Sequence, residues 1–293
     1  MSTAPPPDEW EVDRLDLDAY LARVGLAGPP PRTPRGLRRL HRAHAAAIPF
    51  ENLDIPLGRP IRLDLDAIQG KLVTGGRGGY CYEHNLLFAA VLERLGLGVQ
   101  RLTARVRMGS TSIRPQSHML LRVEAEGIDW LADVGFGGEG LLEPLPLADG
   151  AVTAAAGWNH QLSREDERTW VLRSLHPEGW FDLYAFTLDP QRRVDYEVFN
   201  HYVSTHPRSP FSTQVLVQRS TPEWRLTLSG LRLVETRPDG TESVAELDGA
   251  SLAGTLRERF GIRLDDEEVA RLLASGQAER ASPSSGASSR TTS

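Results

Sequence analysis

The sequence predicts an α+β fold, and three observations carry that reading. Apolar residues repeat at helical spacing through residue 97. From Gly98 the period changes to two, as in half-buried strands. The last third mixes short strands with short helices. An alternating doubly wound sheet would interleave the two periods from the start.

The elements follow in order. Residues 1–15, with Pro5, Pro6 and Pro7, read as a disordered lead. Asp16 caps a helix whose apolar positions are Leu17, Tyr20, Leu21 and Val24, and Gly25 and Gly28 follow it. Thr33 before Pro34 is the order of a cap and a first helical residue, and Leu37, Leu40, His41 and His44 then share a face. Asp64 starts a short helix through Ile68 and Leu72. A further helix runs from Cys81 to Leu95, with Leu86, Leu87, Val91 and Leu95 on one side and Gly96 to close it.

Strands are expected next. Leu102, Ala104, Val106 and Met108 alternate with Thr103, Arg105 and Arg107. His118–Glu124 and Ile128–Val134 flank a turn at Glu126-Gly127. Trp170–Arg173 and Trp180–Phe186 are two more strands, and Asp195–Tyr202 is helical. Strands near Thr213–Val217, Trp224–Leu228 and Leu231–Glu235 lead to a hairpin signal at Asp239-Gly240. Leu252–Phe260 and Asp266–Leu273 close the fold as helices. The Ser-rich stretch 279–293 has no large apolar group and reads as a disordered tail. The working division is 1–15, 16–97, 98–205, 206–278 and 279–293.

Composition narrows the function. At 293 residues the chain buries roughly three quarters of its unfolded surface, enough for a core without staples. Its 33 basic and 39 acidic residues give a net charge of −6 without a basic patch, which argues against a nucleic-acid partner. One cysteine excludes an internal disulfide framework and a cysteine-based zinc cluster. No apolar run approaches the ~18 residues of a membrane span. The first ten residues have neither a basic nor an apolar segment of a secretory signal, so a cytoplasmic location is expected.

The chemistry centres on the one thiol, in the context GGRGGYCYEHN. A lone cysteine is commonly a buried, inert small hydrophobe. Here glycines leave the approach to the sulfur open, a helix begins at Cys81, and Arg77 lies close in sequence. The helix N-terminus carries about +0.5 of a charge, which favours a thiolate.

A cysteine nucleophile needs a base, and the base needs an orienting group. His84 lies one helical turn from Cys81 and His118 lies on a strand. A hairpin centred between Ala125 and Glu126 sets His118 directly opposite Asp133, with Cβ atoms ~4.5–5.5 Å apart. A carboxylate so placed holds an imidazole in one tautomer. A slip of one residue would put the two on different faces. The expected triad is Cys81, His118 and Asp133. Metal binding by Cys81, Glu83 and His84 is the lesser reading, because a structural site wants four ligands.

RGGYCYEHN at 77–85 resembles the active-site signature of the arylamine N-acetyltransferases, in the pattern R-G-G-x-C-x-E-x-N. IPFENL at 48–53, SHMLLRV at 117–123, DVGFGG at 133–138 and NHYVSTHPRSPF at 200–211 are similar to further motifs of that family, in order and at family-like spacing. The resemblance implies a helical bundle over 16–97, an antiparallel β-barrel over 98–205 and an α/β lid over 206–278, with the triad arranged as in cysteine proteinases. It carries the family's Cys-His-Asp triad onto Cys81, His118 and Asp133, and leaves His84 on a variable position. It implies acetyl-CoA as acyl donor, an acetyl-cysteine intermediate, and an arylamine, arylhydrazine or N-hydroxyarylamine as acceptor.

By the same resemblance Ser117, Gly135, Phe136 and Gly137 border the acetyl-CoA cleft, and Phe50, Phe136 and Phe211 line an aryl pocket. Glu51 and Arg77 are expected to pair and brace the loop before Cys81. No metal and no tightly bound cofactor are implied, and a homodimer stays open. Amide synthases that close macrolactams share the triad, as do cysteine hydrolases, so both remain alternatives.

Overall fold

The computed structural model describes residues 9–275. The expected tail at 279–293 and residues 1–8 of the expected lead lie outside the described residues. Residues 9–15, assigned to the lead by the sequence reading, are structured instead. Val12–Arg14 form a 3₁₀ turn and Leu15 is buried. The Trp10 ring lies 4.0 Å under the Arg101 guanidinium and 6.1 Å from Tyr196. The Trp10 indole and the Val12 and Leu15 side chains supply the apolar anchor of this segment.

The first third is helical. Helix α1 (Leu17–Arg23) is capped by Asp16, which accepts from the Ala19 N–H. Helix α2 (Pro34–Ala47) is capped by Thr33 and buries Leu37, Leu40, His41 and His44. A two-residue strand β1 (Phe50–Glu51) follows, then α3 (Leu65–Gln69), capped by Asp64 and continued by a π turn Gly70–Thr74. Helix α4 (Cys81–Arg94) carries the thiol at its first residue. The sequence gives it one apolar side, yet every residue from Cys81 to Leu92 is buried. It is the central helix, enclosed by α2, α3 and the barrel wall, so its polar residues must find partners inside.

Eight antiparallel strands form a nearly closed barrel, in the order β5-β4-β3-β2-β9-β8-β7-β6. They are β2 (Gly98–Val106), β3 (Gln116–Ala125), β4 (Ile128–Ala132), β5 (Leu145–Pro146), β6 (Val152–Ala155), β7 (Trp158–Arg164), β8 (Trp170–His176) and β9 (Gly179–Phe186). The sequence reading missed β5, β6 and β7, which are short or rich in polar residues. Strand β3 is covered on both faces. Leu120 points into the barrel core, while Met119, Leu121 and Val123 pack with the helices. Strand β2 likewise buries Arg101 to Ala104 consecutively. Arg101 meets Glu93 at 2.8 and 2.6 Å, which satisfies a charge that simple alternation would leave in water.

Helix α5 (Arg193–Thr205) packs Tyr196 and Val203 into the helical core. The last section is a five-stranded sheet, β1-β10-β11-β12-β13, with β10 (Leu216–Ser220), β11 (Arg225–Ser229), β12 (Arg232–Thr236) and β13 (Glu242–Glu246). Helix α6 (Gly249–Thr255), a π turn Leu256–Phe260 and α7 (Asp266–Ala274) cover it. Its edge strand β1 comes from the first third of the chain, so this sheet ties the lid to the segment that approaches the thiol. Among the described residues no helix is long and apolar enough to cross a membrane.

Candidate active site

The β3–β4 hairpin sets the geometry. Glu126 and Gly127 both have positive φ, at 54° and 74°, and form a two-residue primed turn that pairs Ala125 with Ile128. The register therefore lies two residues from the one expected. Continued past Leu121–Ala132, it sets Asp133 opposite Leu120, diagonal to His118. A two-residue shift keeps both side chains on one face, and the diagonal is within reach of an imidazole. His118 Nε2 donates to Asp133 Oδ2 at 2.7 Å, so Nδ1 is the nitrogen left for the thiol.

Asp133 is buried and has four donors. Besides His118, the Tyr184 hydroxyl donates to Oδ2 at 2.9 Å. The Asn85 amide and the Gly135 N–H donate to Oδ1, each at 3.0 Å. Burial alone would raise its pKa, but the imidazole and these donors hold the carboxyl below its ordinary value. Burial likewise depresses His118, yet the Asp133 charge and the Cys81 side chain outweigh it and push the imidazole up to about 10. His118 thus keeps its proton through neutral pH. The ring is held edge-on against Phe136, at 5.0 Å, and tilted against Tyr184, also at 5.0 Å.

Cys81 is buried, with its Sγ 3.8 Å from the Ser117 carbonyl oxygen. The loop before it is braced by charge. The Glu83 carboxylate accepts from the Tyr80 N–H at 3.0 Å and from Lys71 Nζ at 2.8 Å. Arg77 and Glu51 form the expected ion pair, at 2.7 Å, and Arg77 also reaches Asp54 at 3.3 Å. Lys71, the only lysine of the sequence, bonds Asp54 at 2.6 Å. Glycine is required here, because a Cβ on Gly78 would meet the Pro49 oxygen at 2.0 Å. The buried network supports a prediction. Arg77→Met removes the guanidinium that bonds buried Glu51 and Asp54 and should cost about 3–5 kcal/mol in urea unfolding. A change below about 1 kcal/mol would show that the bridge braces nothing.

The remaining expected residues fall around this core. Gly135 lies against the helix start, where a Cβ would meet the Cys81 Cα at 2.9 Å. Phe50, Phe136 and Gly137 line a cleft of about 30 Å³ together with Asp133, Leu141 and Gln218. Phe50 is buried and meets Phe211 at 5.9 Å, on the side toward Tyr80. Phe50 therefore touches both groupings, but Phe211 does not line that cleft. His84 is turned away from the thiol, with Nδ1 against His44 and Nε2 against the Pro49 oxygen. Glu83 and His84 are thus engaged elsewhere, and among the described residues no cluster of three or more potential metal ligands occurs.

Sequence reasoning missed three supporting residues. Asn85 lay inside the quoted signature and bridges Asp133, the Met119 oxygen and the Val134 N–H. His41 accepts from the Asp133 N–H at 3.2 Å. Tyr184, 51 residues from Asp133, carries no local signal at all.

Fold and site together define an α+β protein with a cysteine, a histidine and an aspartate set as in the cysteine proteinases, the thiol on a central helix and the other two on the adjoining barrel wall. A family model described as N-acetyltransferase matches residues 35–269. The chain is 40% identical over 258 residues to the arylamine N-acetyltransferase of Mycolicibacterium smegmatis, covering 86% of this chain and 94% of that one. It superposes on the crystal structure of the Nocardia farcinica arylamine N-acetyltransferase with a TM-score of 0.88 at 44% identity, covering 95% and 100% of the two chains. The Mycobacterium marinum arylamine N-acetyltransferase in complex with CoA gives 0.84 at 37% identity, covering 89% and 98%. The chain belongs to the arylamine N-acetyltransferase family, a family of acyltransferases.

Proposed function

We propose that this chain moves the acetyl group of acetyl-CoA to an arylamine, arylhydrazine or N-hydroxyarylamine, by a ping-pong mechanism through acetyl-Cys81. The observation that carries this reading is the 2.7 Å bond from His118 to buried Asp133 on the wall beside the Cys81 thiol, which opens the central helix. The CoA complex of the Mycobacterium marinum relative supports the donor. The names of the relatives support the acceptor.

The Cys81 thiolate attacks the thioester carbonyl carbon. A carbon–sulfur bond forms to Cys81, the bond to CoA breaks, and the departing thiolate takes the His118 proton. The amine then attacks acetyl-Cys81, neutral His118 takes its proton, and the Cys81 thiolate leaves. Asp133 holds the imidazole tautomer through both halves. The backbone N–H of Cys81, at the start of α4, is the assigned oxyanion donor. The Phe136–Gly137 segment and Ser117, whose carbonyl faces the Cys81 sulfur, border the thioester, and Phe50 and Phe136 form the aryl walls, with Phe211 backing Phe50 from outside the cleft.

The acceptor assignment has a direct test. An aryl amine is a weak base, neutral and nucleophilic near pH 7, whereas an alkyl amine is protonated. An aromatic pair is worth ~0.5–1.5 kcal/mol beyond area burial. Phe136→Ala should raise the KM for anilines by more than it slows acetylation of Cys81. Equal turnover of an alkyl amine and an aniline would overturn the aryl pocket and favour an amide synthase. CoA release that needs no amine beyond the first turnover would favour a hydrolase.

A further inference from the structure

Behind the nucleophile's helix lies a row of buried polar groups that the mechanism does not use. The Tyr20 hydroxyl meets His44 Nδ1 at 2.9 Å, and His44 Nε2 meets His84 Nδ1 at 2.9 Å. His84 Nε2 then meets the Pro49 carbonyl oxygen at 3.1 Å. Chemistry assigns every proton in this row. A carbonyl only accepts, so His84 Nε2 carries hydrogen and Nδ1 does not. His44 must then donate through Nε2 and accept at Nδ1, where the tyrosine donates. The chain runs one way, from Tyr20 to Pro49, with both imidazoles neutral. Burial holds His84 down at about 4 and His44 well below its ordinary value. A further proton on His84 Nδ1 would also face the His44 N–H.

The chain ends on the segment that carries Phe50. The Glu51 N–H donates to the Gly79 oxygen at 2.8 Å, and Phe50 bridges Gly79 in parallel. The Phe50 ring lies parallel to the His84 ring, 9° between planes and 6.4 Å between centroids. Neither the Asp133 donors nor the Glu83 brace involves His84. His84 therefore holds one wall of the cleft through the Pro49 carbonyl and lies against the Gly79 carbonyl, with no bond to the His118–Asp133 pair.

We propose that His84 is a positioning residue for the acceptor half of the reaction, fixing Phe50 through the Pro49 carbonyl at the end of the Tyr20–His44–His84 chain. The inference rests on the reading of Phe50 as an acceptor wall.

Two polar substitutions divide the functions of His84. Gln places an amide donor where Nε2 lies and keeps the bond to Pro49. Asn places its amide near Nδ1, so it keeps a partner for His44 but does not reach Pro49. Loss of that bond should raise the aniline KM about five- to tenfold in His84→Asn and less than twofold in His84→Gln. The amine-free burst of CoA should stay within twofold of wild type in both. Equal effects of Asn and Gln, or a burst that falls in step with acceptor turnover, would reduce His84 to a general packing role and overturn the inference. Phe50→Ala serves as the control. If it raises the aniline KM while His84→Asn does not, only the inference fails; if Phe50→Ala leaves KM unchanged, the acceptor-wall reading fails with it.

Discussion

Cys81→Ala should acquire no acetyl group from acetyl-CoA, while the wild-type chain gains one, located on Cys81 by mass spectrometry. The sequence contains no second cysteine, so another thiol cannot take over. Its only lysine is half-buried between Asp54 and Glu83, and the charges of Glu51, Glu83 and Asp54 outweigh its desolvation and hold its pKa above the ordinary value. That amine is a poor nucleophile in its protonated form. Turnover should fall on the order of 10⁶-fold, the size of loss when the nucleophile of a relay is removed. Folding should survive, because Ala keeps the helix start and removes only the sulfur. A stable acetyl adduct elsewhere in the variant would overturn the assignment.

Asp133→Asn should be nearly as damaging, by another route. An amide at Oδ2 presents N–H to the His118 N–H and the Tyr184 hydroxyl, and an amide at Oδ1 does so to Asn85 and Gly135. Either way a donor faces donors, and the imidazole loses its charge partner and, in the first orientation, its acceptor. Turnover should drop on the order of 10³–10⁴-fold, the cost of a misheld tautomer in such triads. Reaction of Cys81 with iodoacetamide near pH 7 should slow in parallel, since burial then leaves His118 neutral.

The pH dependence of stability has a definite sign. His118 is raised, so its contribution is full below its ordinary 6.5 and is lost as pH climbs through about 10. Asp133 is lowered, so its contribution is present above 3.8 and is lost as pH falls through its folded value. Between pH 7 and 10 the wild-type chain should therefore lose more stability than Asp133→Asn. Parallel unfolding curves over that range would show that the pair carries no linked proton.

Much of the helical frame was legible locally. Asp16, Thr33 and Asp64 each cap the helix they announce, because a cap needs only the backbone N–H groups next to it. Cys81 at a helix start was legible from the glycine run just before it. The pairing of His118 with Asp133 survived a wrong register because a two-residue shift preserves the face of a strand. The short strands β5, β6 and β7 were not legible. Their pairing is fixed by neighbours across the sheet rather than by their own residues.

By itself, then, the sequence determined the first four helix starts, the change from helical to strand period, and three chemical groups on elements able to present them. Each depends on contacts within a few residues. Tertiary structure alone decided that α4 is buried all round, that Trp10 anchors residues once read as a lead, and that Tyr184, Asn85 and Gly135 converge on one carboxylate. It also decided that His84 faces Pro49 rather than the thiol. Those outcomes depend on which surfaces meet across long stretches of chain. A buried polar group takes whatever partner the packing brings, and no local periodicity names that partner in advance.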